Sequence, residues 1–187
     1  MLTVITGPMF SGKSSALISK GISHVIAGNT VVAFKPANDS RYDVESIVTH
    51  DGHKFSAYSL PLDGTLHERA IEIFKTYEPE RSIDVILIDE VQFFDKRQIY
   101  NAILPWSDHG HIIVAGLAQD SSGNSFGAMP ELLSYADNIV CLKAVCSKCK
   151  KVNSATRTYR KTKNKAQVVV GGLDDFEPRC FECWNPE

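Results

Sequence analysis

Residues 7 to 14 read GPMFSGKS and follow the β-rich run LTVIT. Every fixed position of the G-x-x-x-x-G-K-[ST] pattern is filled, and the strand-before, helix-after context that gives the pattern its meaning is present. Gly7 and Gly12 let the backbone curl, with Pro8, Met9, Phe10 and Ser11 between them, so that N–H groups at a helix N-terminus face a phosphate. Lys13 is placed to reach the β- and γ-phosphates of a nucleotide, and Ser14 to ligate Mg²⁺. A loop of this kind needs a parallel sheet behind it. It therefore narrows the fold as well as the ligand.

The rest of the chain supplies that sheet. TVVAFK (30–35), DVILI (84–88) and HIIVA (111–115) are short, continuously apolar runs of the kind buried on both faces of a parallel sheet. Between them lie helical patterns. Leu17, Ile18, Ile22, Val25 and Ile26 recur at helical spacing over 13–27, with Gly28 as the stop. Residues 95–104 and PELLSYA (130–136) read as further helices. The expected class is α/β, a phosphate-loop protein with a parallel sheet covered on both faces.

DVILI ends in two adjacent carboxylates, Asp89 and Glu90. Ligands of a parallel sheet sit at the carboxyl ends of its strands, so Asp89 is the expected Mg²⁺-holding partner of Ser14. Glu90 has two readings on its own residues: polarising a water in a hydrolase, or taking a proton from a substrate hydroxyl in a kinase.

Five cysteines are spread unevenly. Cys146 and Cys149 form one CxxC pair and Cys180 and Cys183 another, a spacing that reads as a four-thiolate zinc site sooner than as disulfides. Cys141, in the apolar run NIVCL, is expected to be a small core residue. After Cys146 the character turns basic and poor in large apolar residues. The chain therefore divides into a nucleotide-binding part, 1–143, and a zinc-stapled part, 144–187. The basic run from Lys148 to Lys165 has only Tyr159 as an interleaved aromatic, so it reads as a solvated loop and not as a base-stacking surface. A net charge of −2 gives no global pull toward nucleic acid or membrane. With no signal-peptide pattern and no membrane-length apolar stretch, a soluble cytoplasmic protein is expected.

Taken in order, GPMFSGKS, KPANDSRY (35–42), THDG (49–52), IDEVQFF (88–94), GLAQDSSGNSFG (116–127), AVCSKC (144–149), VVVGG (168–172) and CFEC (180–183) resemble the thymidine kinase family of the cellular, zinc-containing type. The resemblance runs over essentially the whole chain. It implies a RecA-like phosphate-loop core with a small zinc-binding "lasso" domain at its C-terminal end, a homotetramer, and transfer of the γ-phosphate of ATP to the 5′-hydroxyl of thymidine, with Mg²⁺ and a structural Zn²⁺. Glu90 then matches the family's general base. Asp39 and Arg41 match positions near the donor phosphates, Arg41 with a catalytic role, and Gln92 and Phe93 match positions beside the phosphates and the nucleoside. Met9, Leu117, Thr156 and Phe176 match positions around the base or sugar. The stretch Gln167, Val168, Val169, Val170 and Gly171 matches the lasso that grips the nucleoside by its backbone. One departure stands out: Ser121 occupies a stretch where relatives carry an aromatic ring over the pyrimidine. Phe126 is the candidate to compensate, and a related deoxyuridine is an alternative acceptor. The rival reading is a RecA-like ATPase or DNA-binding module.

Overall fold

The structure is a computed structural model that describes residues 1–37, 45–49, 52–63, 65–77, 82–94, 96–106, 110–162, 166–168 and 171–185. The expected strands form as β1 (Leu2–Thr6), β2 (Val31–Pro36), β6 (Val85–Ile88) and β7 (His111–Gly116). Three strands that the sequence reading did not anticipate join them: β3 (Ser46–Val48), β4 (Lys54–Ser56) and β5 (Tyr58–Leu60). With β8 (Asn138–Cys141), six of these make one sheet in the order β5-β2-β6-β7-β1-β8, and every pairing in it is parallel. β3 and β4 form a separate antiparallel hairpin.

Alternation along each strand feeds two cores. Val4, Phe34, Ile88 and Val114 face one side, covered by α2 (Leu66–Lys75), by α5 (Met129–Tyr135) and by a helical segment between β6 and β7. That segment, expected at 95–104, runs as α3 (Lys96–Gln98), a π-helical turn (Ile99–Ile103) and α4 (Leu104–Trp106). Ile5, Ala33, Leu87 and Ile113 face the other side, covered by Leu17 and Ile18 of α1 (Lys13–Ile26) and by Ile47 of the hairpin. A Cβ at Gly21 would lie 2.5 Å from Leu87 Cδ1 and 3.2 Å from Phe55 Cε2. The glycine thus lets helix, sheet and hairpin close on one another.

The helix expected over 13–27 forms as α1, with Leu17, Ile18 and Gly21 buried and Ala16 packed beside them, while Ile22, Val25 and Ile26 are exposed. One expectation is corrected: Cys141 is exposed, because β8 is an edge strand with an open flank and not an inner one. The helix stop at Gly28 is as expected: it has φ +85° and its N–H bonds Val25 O at 3.0 Å.

Beyond the sheet, β9 (Arg157–Arg160) and β10 (Phe176–Arg179) pair antiparallel, with Thr158 opposite Pro178. No helix among the described residues is long and apolar enough to cross a membrane.

Candidate active site

The carboxyl ends of β1, β2, β6 and β7 open into one cleft, closed on its far side by β9 and by residues 167, 171 and 176. The phosphate loop forms its first wall. Gly12 sits at φ +81° as the N-cap of α1, a left-handed conformation that suits glycine. Ser11 Oγ and Lys13 Nζ both donate to Pro8 O at 2.8 Å, so the loop curls around its own lysine. Gly7, Pro8 and Ser11 shape this loop, while Met9, Phe10, Gly12, Lys13 and Ser14 line the cleft.

Asp89 extends the β2–β6 ladder by one bond, its N–H to Phe34 O at 3.0 Å, which fixes its carboxylate at the sheet's edge facing Ser14. The Ser14 hydroxyl donates to that carboxylate. Burial, and next the Glu90 carboxylate, push the Asp89 carboxyl up to about 7; the Ser14 bond, the Glu90 N–H and the Lys13 charge pull the other way without prevailing. The folded carboxyl therefore keeps its proton to a higher pH than the unfolded one, whose ordinary value is about 4. The stability supplied by that proton is complete below about 4 and is lost as pH rises through 7. Asp89→Asn should accordingly raise the melting temperature of the ligand-free protein at pH 8 by a few degrees, with the gain shrinking at pH 5. Calorimetry at the two pH values checks this; a lowered Tm at pH 8 contradicts it.

Glu90 follows in an unusual backbone state, φ 49° and ψ 39°, left-handed for a residue with a side chain. Such conformations cost energy and concentrate at functional sites. Gln92 Nε2 donates to Glu90 Oε2 at 2.5 Å, and Gln92 Oε1 accepts the Leu117 N–H at 3.0 Å. A Cβ at Gly116 would lie 2.8 Å from Gln92 Oε1, so the bare end of β7 lets Gln92 cross between strands. Ser14, Asp89, Glu90, Gln92 and Leu117 thus form a continuous line from the phosphate loop to the cleft's far end.

That far end is more apolar. Phe93 and Phe126 meet edge to face with centroids 5.8 Å apart, and Leu117, Ser121 and Phe176 line the same space. Gln167 Nε2 bonds Asp120 Oδ2 at 3.0 Å and thereby holds its segment against the 119–125 loop. Gly171 also faces the cleft, whereas the Val168 side chain is exposed. Thr156 does not line the cleft: it is exposed just before β9, with its N–H on Arg179 O. Thr158, one strand repeat further along, lies in the wall and accepts the Met9 N–H at 3.0 Å. Asp39, Arg41, Val169 and Val170 lie outside the described residues.

Lys35, Thr158 and Arg160 are among the lining residues that sequence reading missed. Lys35 is buried at the end of β2, its Nζ on Ser46 O at 3.1 Å. A charged residue closing a buried strand is the same signal that marked Asp89. Arg160 donates to Ala166 O at 2.7 Å and Gln167 O at 3.4 Å, and stacks over Phe176. It was hidden in the basic run. Thr158 and Arg160 share one face of β9, which only the strand assignment reveals.

Cys146, Cys149, Cys180 and Cys183 gather with their sulfurs all within 4.8 Å of one another. Cys149 Sγ and Cys180 Sγ are 3.9 Å apart, close to the roughly 3.8 Å edge of a tetrahedron with 2.3 Å Zn–S bonds. Burial raises the Cys146 thiol, yet the N–H groups of Cys149, Cys180 and Lys148 together bring it down to about 6. Bonding to Cys180, then burial, pushes Cys183 up to about 12. The donor set and its spacing fit one zinc ion.

The sequence model of the thymidine kinase family matches residues 1–184. A thymidine kinase of Thermococcus kodakarensis is 38% identical over 188 residues, covering 97% of this chain and 92% of that one. Thymidine kinases of Pyrobaculum aerophilum and Bacteroides thetaiotaomicron are 36% and 39% identical, over 96% and 98% of this chain and 96% and 86% of theirs. The chain belongs to the thymidine kinase family. It is thus an enzyme of the kinase class, and as a thymidine kinase family member it joins a parallel α/β nucleotide-binding core to a four-cysteine cluster.

Proposed function

We propose that this protein transfers the γ-phosphate of ATP to the 5′-hydroxyl of thymidine, or of a related deoxyuridine, yielding ADP and the 5′-monophosphate. The observation that carries the reading is the placement of Glu90, next to the buried acid bonded to Ser14 and linked through Gln92 to Leu117. A hydroxyl held at the apolar end would meet the Glu90 carboxylate on its way to the phosphate loop. Glu90 takes the hydroxyl proton as the oxygen attacks the γ-phosphorus, and the bond to the bridging oxygen of ADP breaks. Lys13 stabilises the phosphate charge. Ser14 and Asp89 would hold Mg²⁺, which supplies charge neutralisation on the phosphate oxygens when bound. Arg41 and Asp39 belong, on resemblance, to the donor phosphates. Four cysteine thiolates would hold a structural Zn²⁺.

The same reading divides the chain at 143/144, assembles it as a homotetramer and places it in the cytoplasm. With Ser121 in the cleft wall, the base pocket has more room than one closed by a ring, which is why a modified deoxyuridine stands beside thymidine.

The test is a panel of nucleosides with γ-labelled ATP and Mg²⁺. Label should appear in a nucleoside 5′-monophosphate. Label released only as inorganic phosphate, and only with added DNA, would overturn the kinase reading in favour of an ATPase.

A further inference from the structure

Trp184 directly follows the last cysteine of the cluster, and its backbone is tied to that cluster by its N–H on Cys180 O at 2.9 Å. Its ring leaves the cluster in two directions. Nε1 donates to Thr158 O at 3.1 Å, on the strand whose Thr158 Oγ1 receives the Met9 N–H. The six-membered edge lies on the 119–125 loop: a Cβ on Gly123 would stand 2.8 Å from Trp184 Cη2 and 3.4 Å from Cζ2. Gly123 also has φ +87°, so the loop turns at the point where the indole presses on it.

On its inner side that loop is cleft wall. Asp120 and Ser121 line the cleft, and Gln119 bridges Ser125 to close the loop as a small hairpin. The Asp120 carboxylate bonds Ser122 N and Asn124 N at 2.9 Å each, and Gln167 at 3.0 Å. The loop is therefore held from within by Asp120 and from behind by Trp184.

We propose that Trp184 is a positioning residue: it transmits the geometry of the four-cysteine cluster to the loop that forms the nucleoside wall. Trp184 is not among the cleft-lining residues and reaches the cleft wall through Gly123 and Thr158. The inference rests on the reading of the far end of the cleft as the nucleoside end. Long side chains held at one end by a rigid knot fix what they touch, and loosening such a support degrades the binding of one substrate while sparing groups positioned elsewhere.

The experiment compares wild type with Trp184→Phe and Trp184→Ala in the full zinc-loaded enzyme. Trp184→Ala should raise the nucleoside KM on the order of tenfold and leave the ATP KM within about twofold. Trp184→Phe, whose shorter ring lacks the Cη2 and Cζ2 edge that meets Gly123 as well as the N–H, should recover only a small part of that loss. Trp184 is one of two tryptophans, the other being the buried Trp106. The emission difference between wild type and Trp184→Phe should change on adding nucleoside, and on stripping the metal, but not on adding ATP. Unchanged KM values in Trp184→Ala, or nucleoside and ATP KM values rising together, would overturn the inference, as would an indole emission indifferent to nucleoside. A wild-type enzyme that phosphorylates no nucleoside in the panel defeats the proposed function itself, which is a different result.

Discussion

Glu90→Gln should fold, bind ATP and turn over about 10²- to 10⁴-fold more slowly, the usual contribution of a positioned proton acceptor. The substitution keeps the shape of the side chain and its place between Asp89 and Gln92, and removes only its ability to take a proton. The Gln92 Nε2 donor at 2.5 Å can still meet an amide oxygen. The backbone cost of φ 49° is equal in both proteins. Loss should therefore fall on kcat, with ATP affinity near the wild-type value. Circular dichroism and nucleotide binding confirm the fold; single-turnover phosphate transfer measures the loss. Near-normal kcat in a folded variant would remove Glu90 from the base role.

The second large effect concerns the cysteine cluster. Purified protein should carry about one zinc per chain, and Cys146→Ser should lose it, leaving residues after 144 open to protease. The buried patch around the cluster is small: Ala144, Cys146, Ala155 and Cys180, with Cys183 beside them. Burial of so few apolar groups does not order a segment of this length. Structural zinc contributes apparent binding energies of about 10–16 kcal/mol in small peptides, comparable with the whole stability of many domains. The metal must then supply most of what holds this part together. Native mass spectrometry reads the zinc content and limited proteolysis the ordering. Zinc-free protein with an intact, protease-resistant tail would refute the claim, as would a disulfide joining Cys149 to Cys180 in fresh material.

Much of the core was legible because its strands announce themselves. LTVIT, VVAFK, VILI and HIIVA are apolar without interruption, and only a strand buried on both faces tolerates that. The phosphate loop, Asp89 and the four cysteines were legible for a different reason: their chemistry demands fixed residue types at fixed spacing. β3, β4 and β5 were not, since three-residue strands carry too few alternations to stand out from a loop. Nor was the burial of α1: helical periodicity shows that Ile22 and Ile26 share a stripe with Ile18, but not where the neighbouring hairpin stops. In the site, Lys35, Thr158 and Arg160 escaped because their roles depend on which strand face meets the cleft. Thr156 was placed by motif position; it stands just before β9 and is exposed, whereas Thr158 lies within the strand and lines the cleft. The left-handed backbone at Glu90 has no local sequence signal at all, since nothing about glutamate favours it.

The strand order β5-β2-β6-β7-β1-β8 also governs when the cleft can exist during synthesis. β1 carries the phosphate loop and β6 carries Asp89, yet β7, His111–Gly116, lies between them. Until that strand has left the ribosome, the loop and the acid belong to separate fragments, each with an unpaired edge. A nascent chain in this interval must close long loops before any contact rewards it, and its open edges invite association with neighbours. Nucleotide offers no early shelter, because the two groups meant to hold it meet only when β7 slots in. Binding of nucleotide is therefore a report that the sheet has been completed.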